Sequence, residues 1–276
     1  MTAVVQPFRV AQLVTVLKLG GELLDDAGGM RALADAVVGL AKKGPLVVIH
    51  GGGRAIDAEL RARGLEPKFV DGLRITDAAA LDVAVSVLAG RNNTALVAAL
   101  CSAGCRAVGL TGADAGIGLS YRAPFFTAAN GEAVDLGLVG QPAPASTALL
   151  ADLVGLGYVP VIASIGMMPD GELLNVNADT LAGHMAGALE AERLIIAGGT
   201  AGVLDSDGLC IPTLTIDRLD TMIASGEAHS GMIAKLSACR VAIARGVRDV
   251  SIVSGRGVVS FDTADGTRLA TEALTA

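Results

Sequence analysis

VLKLGGELLDD, residues 16–26, sets one lysine inside an apolar run and halts that run on Gly20-Gly21. A short run of Val and Leu reads as a strand, and strands buried on both faces seldom hold a lysine. Two readings of Lys18 stand side by side. Its ammonium snorkels from a strand end into water, or it faces an anion to which the glycines also present backbone N–H groups. The pattern recurs at PLVVIH, residues 45–50, which stops on Gly51-Gly52-Gly53 ahead of a helix-like stretch with Ile56 and Leu60 one turn apart. Neither glycine cluster is G-x-x-x-x-G-K-[ST] or G-x-G-x-x-G, so the Walker A loop and the dinucleotide fingerprint are both absent.

Outward from these two stretches, strand-like and helix-like segments alternate along the chain. MRALADAVVGLAKKG carries Leu33, Val37 and Leu40 at helical spacing, with Gly44 expected just past the helix end. TDAAALDVAVSVLAG opens on Thr76 or Asp77 as N-cap, and NNTALVAALCSAG reads as a further helix. Between residues 119 and 140 the alternation breaks, and Asn130-Gly131 signals a hairpin turn. Near the end, Met232, Leu236, Cys239 and Ile243 fall on one helical face. Helices of this length between strands imply βαβ units: an α/β fold with a mainly parallel sheet covered on both faces. Ligands in such folds sit beyond the carboxyl ends of the strands.

Composition narrows the function classes. The 276 residues are 52% hydrophobic, with 36 glycines and no tryptophan, which suits small side chains packed closely on a sheet. The net charge of −7 offers no global attraction for nucleic acid or an anionic membrane. An anion must therefore be bound by a local site. The cysteines at 101, 105, 210 and 239 lack zinc-ligand spacing and read as small hydrophobes in a reducing compartment. No secretory leader is recognised, and no apolar run reaches membrane-spanning length without a charge or a breaker. A cytoplasmic protein with no nucleic-acid or membrane partner and no resident metal is expected.

Several polar groups are candidates for chemistry. NVNAD, residues 175–179, alternates Asn175, Asn177 and Asp179, so in an extended segment their side chains share one face. Capping explains one of them, not three. Arg74, in GLRITD ahead of a capped helix, is placed to hold a carboxylate bidentately or to form an ordinary surface ion pair. Lys235, in SGMIAK, stands early on a helix, where solvation is the plain alternative. His50 ends a strand directly before the triple glycine and is placed to support that loop, whereas His184 and His229 belong to no nucleophile or metal constellation.

KLGG, HGGG, GLRITD, NVNAD and SGMIAK, in this order and at these intervals, resemble the amino acid kinase family, in particular its acylglutamate-phosphorylating members. The resemblance runs from about Val14 to Gly255 and takes in AVGLTGAD, VDLGLVG and GVLD. It implies a three-layer αβα sandwich with an open, mainly parallel central sheet and two lobes. Residues 1–188 would bind the acyl amino acid and residues 189–276 the nucleotide. It also implies transfer of the γ-phosphoryl group of ATP, with Mg2+ carried by the nucleotide, to the side-chain carboxylate of N-acetyl-L-glutamate in arginine synthesis. Lys18 and Lys235 would stabilise the migrating phosphoryl group, and Asp179 would position both. Gly20, Gly21, Gly52 and Gly53 would offer amides to phosphate oxygens. Arg74 and Asn175 would hold the α-carboxylate, and Asn177 would line the same pocket. A homodimer or higher homo-oligomer is implied as well. The segment ahead of Lys18 is short for the longer N-terminal helix that some relatives use in arginine inhibition.

The chain departs from the family pattern after the strand RLII, where the family has Ser/Thr-Asp and this sequence has Gly198-Gly199. Asn93 is kept, between Asn92 and Thr94 in place of the usual neighbours. Two other readings stay open on sequence grounds. One is a sibling kinase acting on carrier-borne aminoadipate or another N-acylglutamate. The other is a ligand-binding regulator that has lost catalysis.

Overall fold

The computed structural model describes residues 14–25, 28–128, 131–228 and 230–270. In chain order its strands are β1 (Thr15–Leu19), β2 (Leu46–His50), β3 (Lys68–Val70), β4 (Leu73–Ile75), β5 (Ala107–Thr111), β6 (Ser120–Arg122), β7 (Phe126–Thr127), β8 (Ala133–Val134), β9 (Val139–Pro142), β10 (Val159–Ala163), β11 (Ile165–Met167), β12 (Leu173–Val176), β13 (Arg193–Gly198), β14 (Thr213–Thr215), β15 (Asp249–Ser254) and β16 (Gly266–Ala270). The α-helices are α1 (Met30–Ala41), α2 (Gly53–Ala62), α3 (Ala78–Val85), α4 (Asn93–Ser102), α5 (Ala148–Gly155), α6 (Ala178–Ala188), α7 (Ile216–Ala224) and α8 (Ser230–Ala244).

Eight strands form one sheet in the order β14-β16-β15-β13-β1-β2-β10-β5. Every pairing is parallel except β15 with β16. The mainly parallel sheet expected from the alternation is therefore present. The chain leaves β1 toward β2 and later returns on the other side of β1 as β13, so the crevice beyond their carboxyl ends is a topological switch point. The sheet runs without a break across residue 188, because β13 pairs along its length with β1.

Strand alternation sends successive side chains to opposite faces. Val16, Val47, Ile49 and Ile196 pack on one face with Leu150 of α5, Leu181 and Met185 of α6 and Leu236 of α8. Leu17, Leu19, Val48 and Ile195 pack on the other with Leu33 and Val37 of α1 and Leu96 and Leu100 of α4. These are the three layers. The same alternation puts Lys18 on the face of Val16, toward α6, and His50 on the face of Val48, toward α4.

A smaller sheet, β11-β12-β9-β6, and the β3–β4 hairpin stand over the carboxyl ends of the large one. Asp71 and Gly72 both have positive φ, 44° and 80°, and make the two-residue turn between β3 and β4. Asp-Gly is a strong signal for such a turn. The hairpin expected at Asn130-Gly131 is bracketed by the antiparallel pair β7–β8, although Asn130 itself lies outside the described residues, as do His229 and residues 1–13.

Two local expectations fail for identifiable reasons. Helix α1 ends at Ala41 with Lys42 as its C-cap, so Gly44 follows a further turn rather than closing the helix. The helices read on either side of Gly90 are one continuous element, because a π-helical segment, Ser86–Asn92, joins α3 to α4. The joined helix, Ala78–Ser102, has the length and composition of a membrane span, yet Val83, Leu88, Leu96 and Leu100 are buried in the protein's own cores. Asp77 does cap α3, accepting from the N–H of Ala80 at 2.9 Å.

Candidate active site

Lys18 is almost fully buried, and its Nζ lies 2.8 Å from Oδ1 of Asp179. Leaving an ammonium inside a sheet is costly unless a carboxylate meets it. Asp179 does so from the first turn of α6. Asn177 is the N-cap of that helix, its Oδ1 accepting from the N–H groups of Asp179 at 2.9 Å and Thr180 at 3.1 Å. The extended segment imagined through NVNAD therefore stops at Asn177, and the three side chains have separate tasks. Asn175, on β12, donates from Nδ2 to Thr76 Oγ1 at 3.1 Å. Asn177 orients α6, and Asp179 holds the lysine.

Lys235 reaches the same cavity from α8 because α6 and α8 pack with almost no space between them. A Cβ at Gly183 would lie 2.4 Å from the carbonyl oxygen of Ala238, and one at Gly187 would lie 2.3 Å from Arg245 Cδ. The two helices thus run in the same direction, and one turn back from that contact brings Asp179 and Lys235 to one level. Cys239, buried beside both, has its thiol pushed well up by burial and by the Asp179 carboxylate. Among the described residues, however, Asp179 makes an ion pair with Lys18 alone. Lys235 Nζ donates to its own helix at Gly231 O, 3.3 Å away, so the expected grip of Asp179 on both lysines is not made in this arrangement.

The two glycine turns touch each other. A Cβ on Gly21 would lie 2.5 Å from Gly52 Cα. Gly52 donates to no acceptor among the described residues, and Gly21 and Gly53 open helical turns, where N–H groups have no intrahelical partner. Gly20 is different, and its expected role is corrected: its N–H continues the β1–β13 pairing by donating to Ala197 O at 2.8 Å, so it is not free for an anion.

His50 steadies the triple-glycine turn from below. Asn93 Nδ2 donates to Val161 O at 2.9 Å and lies 3.1 Å from His50 Nε2, while His50 Nδ1 is 3.2 Å from Gly51 O. An imidazole that accepts at Nε2 is neutral and protonated on Nδ1. Burial agrees, lowering the His50 pKa from 6.5 to about 4. Between these values the unfolded chain binds more protons than the folded one, so stability is full above pH 6.5 and falls as the pH drops toward 4. Through this residue the protein is expected to lose about 2 kcal/mol between pH 7.5 and pH 5. Urea unfolding at both pH values, beside His50→Gln, measures it, and equal losses in the two proteins would remove His50 as the cause.

Arg74 enters from β4. It pairs with Asp57 of α2 at 2.6 Å, donates to Gly53 O at 3.2 Å and stacks on Phe69 with 4.7 Å to the ring centroid. Its Nη1 is buried without a hydrogen-bond partner among the described residues, which leaves one edge of the guanidinium for a ligand. A cavity of about 310 Å³ is lined by Lys18, Lys235, Asp179, Arg74, Asn175 and Asn177, together with Gly21, Gly52 and Gly53. A second cavity, of about 390 Å³, opens between the end of β13 and α8, walled by Thr200, Val203, Leu204, Met222 and Met232.

A family model described as the amino acid kinase family matches residues 14–254. The chain belongs to this family. It is 41% identical over 246 residues to the acetylglutamate kinase of Symbiobacterium thermophilum, an alignment that spans 87% of this chain and 84% of that one. It is 39% identical over 260 residues to the acetylglutamate kinase of Acidiphilium cryptum, spanning 90% and 85%. The fold superposes on smu.665 of Streptococcus mutans with a TM-score of 0.80 at 24% identity, covering 94% and 99%.

Sequence reasoning missed Glu22. Its Oε1 accepts the N–H of Gly199 at 2.8 Å, so a carboxylate does reach Gly198-Gly199, from the β1 turn rather than from β13. The available signal was an acid placed immediately after Gly20-Gly21.

Proposed function

We propose that this protein catalyses transfer of the γ-phosphoryl group of ATP to the side-chain carboxylate of N-acetyl-L-glutamate, giving N-acetyl-L-glutamyl 5-phosphate for arginine biosynthesis. One observation carries the reading: a buried lysine–aspartate pair, a second lysine and the unpartnered amides of two touching glycine turns converge on a single cavity at the switch point of the sheet. Relatives about 40% identical over most of the chain bear the acetylglutamate kinase name, which supports the choice of acceptor.

Phosphoryl transfer asks a protein for positioning and charge stabilisation, and an acceptor carboxylate is already ionised at neutral pH, so no general base is needed. Lys18 and Lys235 take the charge that builds on the phosphoryl oxygens, with Asp179 fixing the first. Gly21, Gly52 and Gly53 add amide donors. Arg74, oriented by Asp57, and Asn175, oriented by Thr76, hold the α-carboxylate of the acceptor. The nucleoside occupies the apolar cavity beside Met222 and Met232, in a C-terminal lobe that begins near residue 189. No group of three or more His, Cys, Asp or Glu among the described residues forms a metal cage. Magnesium would arrive with the nucleotide phosphates and, when bound, neutralise part of their charge.

A coupled assay of ADP release tests the proposal, with the acyl phosphate trapped as a hydroxamate. Turnover is expected only when ATP, Mg2+ and N-acetyl-L-glutamate are all present. Turnover restricted to another N-acyl amino acid would move the reading to a sibling kinase, and none with any acceptor would overturn it.

A further inference from the structure

Glu22 has more built around it than a hydrogen bond to Gly199. Its carboxylate occupies a slot from which side chains are missing. A Cβ on Gly20 would lie 2.5 Å from Glu22 Oε2, one on Gly198 would lie 3.4 Å from Oε1, and one on Gly199 would lie 3.3 Å from Cγ. The next residue is socketed too, since a Cβ on Gly255 would overlap Leu23 at 2.3 Å. The turn after β1 is thus keyed into the ends of β13 and β15, and the carboxylate is held in one orientation.

That orientation brings it to the cavity that holds Lys18 and Lys235. It also borders a neighbouring cavity of about 360 Å³ with Arg54 and Arg256. The Arg256 guanidinium approaches the Gly199 position, and Lys235 Cε approaches the Gly198 position. Yet no cation of the described residues comes within ion-pair distance of Glu22. A hydrogen bond from one backbone N–H needs an oxygen acceptor and not a full negative charge. An uncompensated carboxylate beside a phosphate site repels the ligand unless a cation stands between them. Magnesium bound with nucleotide phosphates characteristically takes one or two protein carboxylates and no more.

On the kinase reading given above, we infer that Glu22 is a specificity-determining residue for the phosphoryl donor: its free carboxylate oxygen faces the divalent cation, directly or through a cation-bound water, so that the cleft accepts the nucleotide as its metal complex and disfavours the free polyanion. Gly20, Gly198 and Gly199 provide the space in which that carboxylate stands.

Calorimetric binding of adenylyl imidodiphosphate, which transfers no phosphoryl group, tests this without any turnover. Dissociation constants are measured with excess Mn2+ and with EDTA. Glu22→Gln retains the oxygen that accepts from Gly199 and removes only the charge. The wild type is expected to favour the metal complex by about tenfold or more, and Glu22→Gln to reduce that preference to about twofold, through weaker binding of the complex and stronger binding of the free nucleotide. Glu22→Asp, which withdraws the carboxylate by one methylene, should also narrow the preference and serves if the glutamine variant does not fold. An unchanged preference in folded Glu22→Gln overturns the assignment while leaving the kinase reading intact. A wild-type protein that binds neither form overturns both.

Discussion

Lys18→Ala is expected to lower kcat by about 10²–10³-fold or more, the cost of removing one preorganised positive group from the position where transition-state charge develops. A second loss comes with it. Lys18 and Asp179 are both less than a tenth exposed, so removing the lysine leaves a buried carboxylate with no ion-pair partner among the described residues. Breaking one side of such a pair typically costs about 3–5 kcal/mol. The two effects separate in a double variant. Lys18→Ala with Asp179→Asn removes the orphaned charge as well, so most of the stability should return while turnover stays lost. Urea midpoints report the first quantity and steady-state kinetics the second. Wild-type-like turnover in purified Lys18→Ala would end the catalytic assignment. Recovery of activity in the double variant would reduce Lys18 to a structural counter-ion.

The same pair shows how far the sequence could be read. Lys18 was visible because a lysine is out of place among Val and Leu, and Asp179 because three polar residues exceed what one helix start needs. Strand alternation then places Lys18 on the α6 face, so the pairing follows from local pattern and topology together. The parallel sheet was legible for a similar reason: short apolar runs closed by glycine and separated by amphipathic helices leave few alternatives. What escaped reading depends on partners far along the chain. Glu22 meets Gly199 across 177 positions, and its slot exists only because Gly20, Gly198 and Gly199 come together in space. The engaged amide of Gly20 was equally hidden, since in sequence it looks like its neighbour and only the β1–β13 register distinguishes them. The join between α3 and α4 was missed because the two stretches read as separate helices meeting at Gly90-Arg91, whereas a π-helical segment carries the chain through.

Gly21→Ala is expected to lower kcat by about 10²-fold, although it adds a single methyl group. The added carbon would lie 2.5 Å from Gly52 Cα and 2.8 Å from Gly52 N, so it meets backbone that no side-chain rotation can clear. Positive φ is not the issue, because Gly21 is absent from the positive-φ glycines of the described chain. The cause is the closeness of two turns, and the remedy open to the protein is to part them. Parting them moves the amides of Gly21, Gly52 and Gly53 away from a common phosphoryl group, and a shift of about 1 Å at such a site costs about 10²-fold in rate. Overpacking itself costs about 1–3 kcal/mol. Gly52→Ala provides the graded comparison. Its methyl would meet Asn92 Nδ2 at 2.5 Å and Leu88 Cδ2 at 2.8 Å, both ends of side chains that can turn aside. The expected order of kcat is therefore wild type, then Gly52→Ala, then Gly21→Ala, with both variants still unfolding cooperatively in urea. Equal activity in Gly21→Ala and the wild type would mean that the contact between the turns does not set the phosphate site. The reverse order would place the sensitive contact at Asn92 and Leu88 instead.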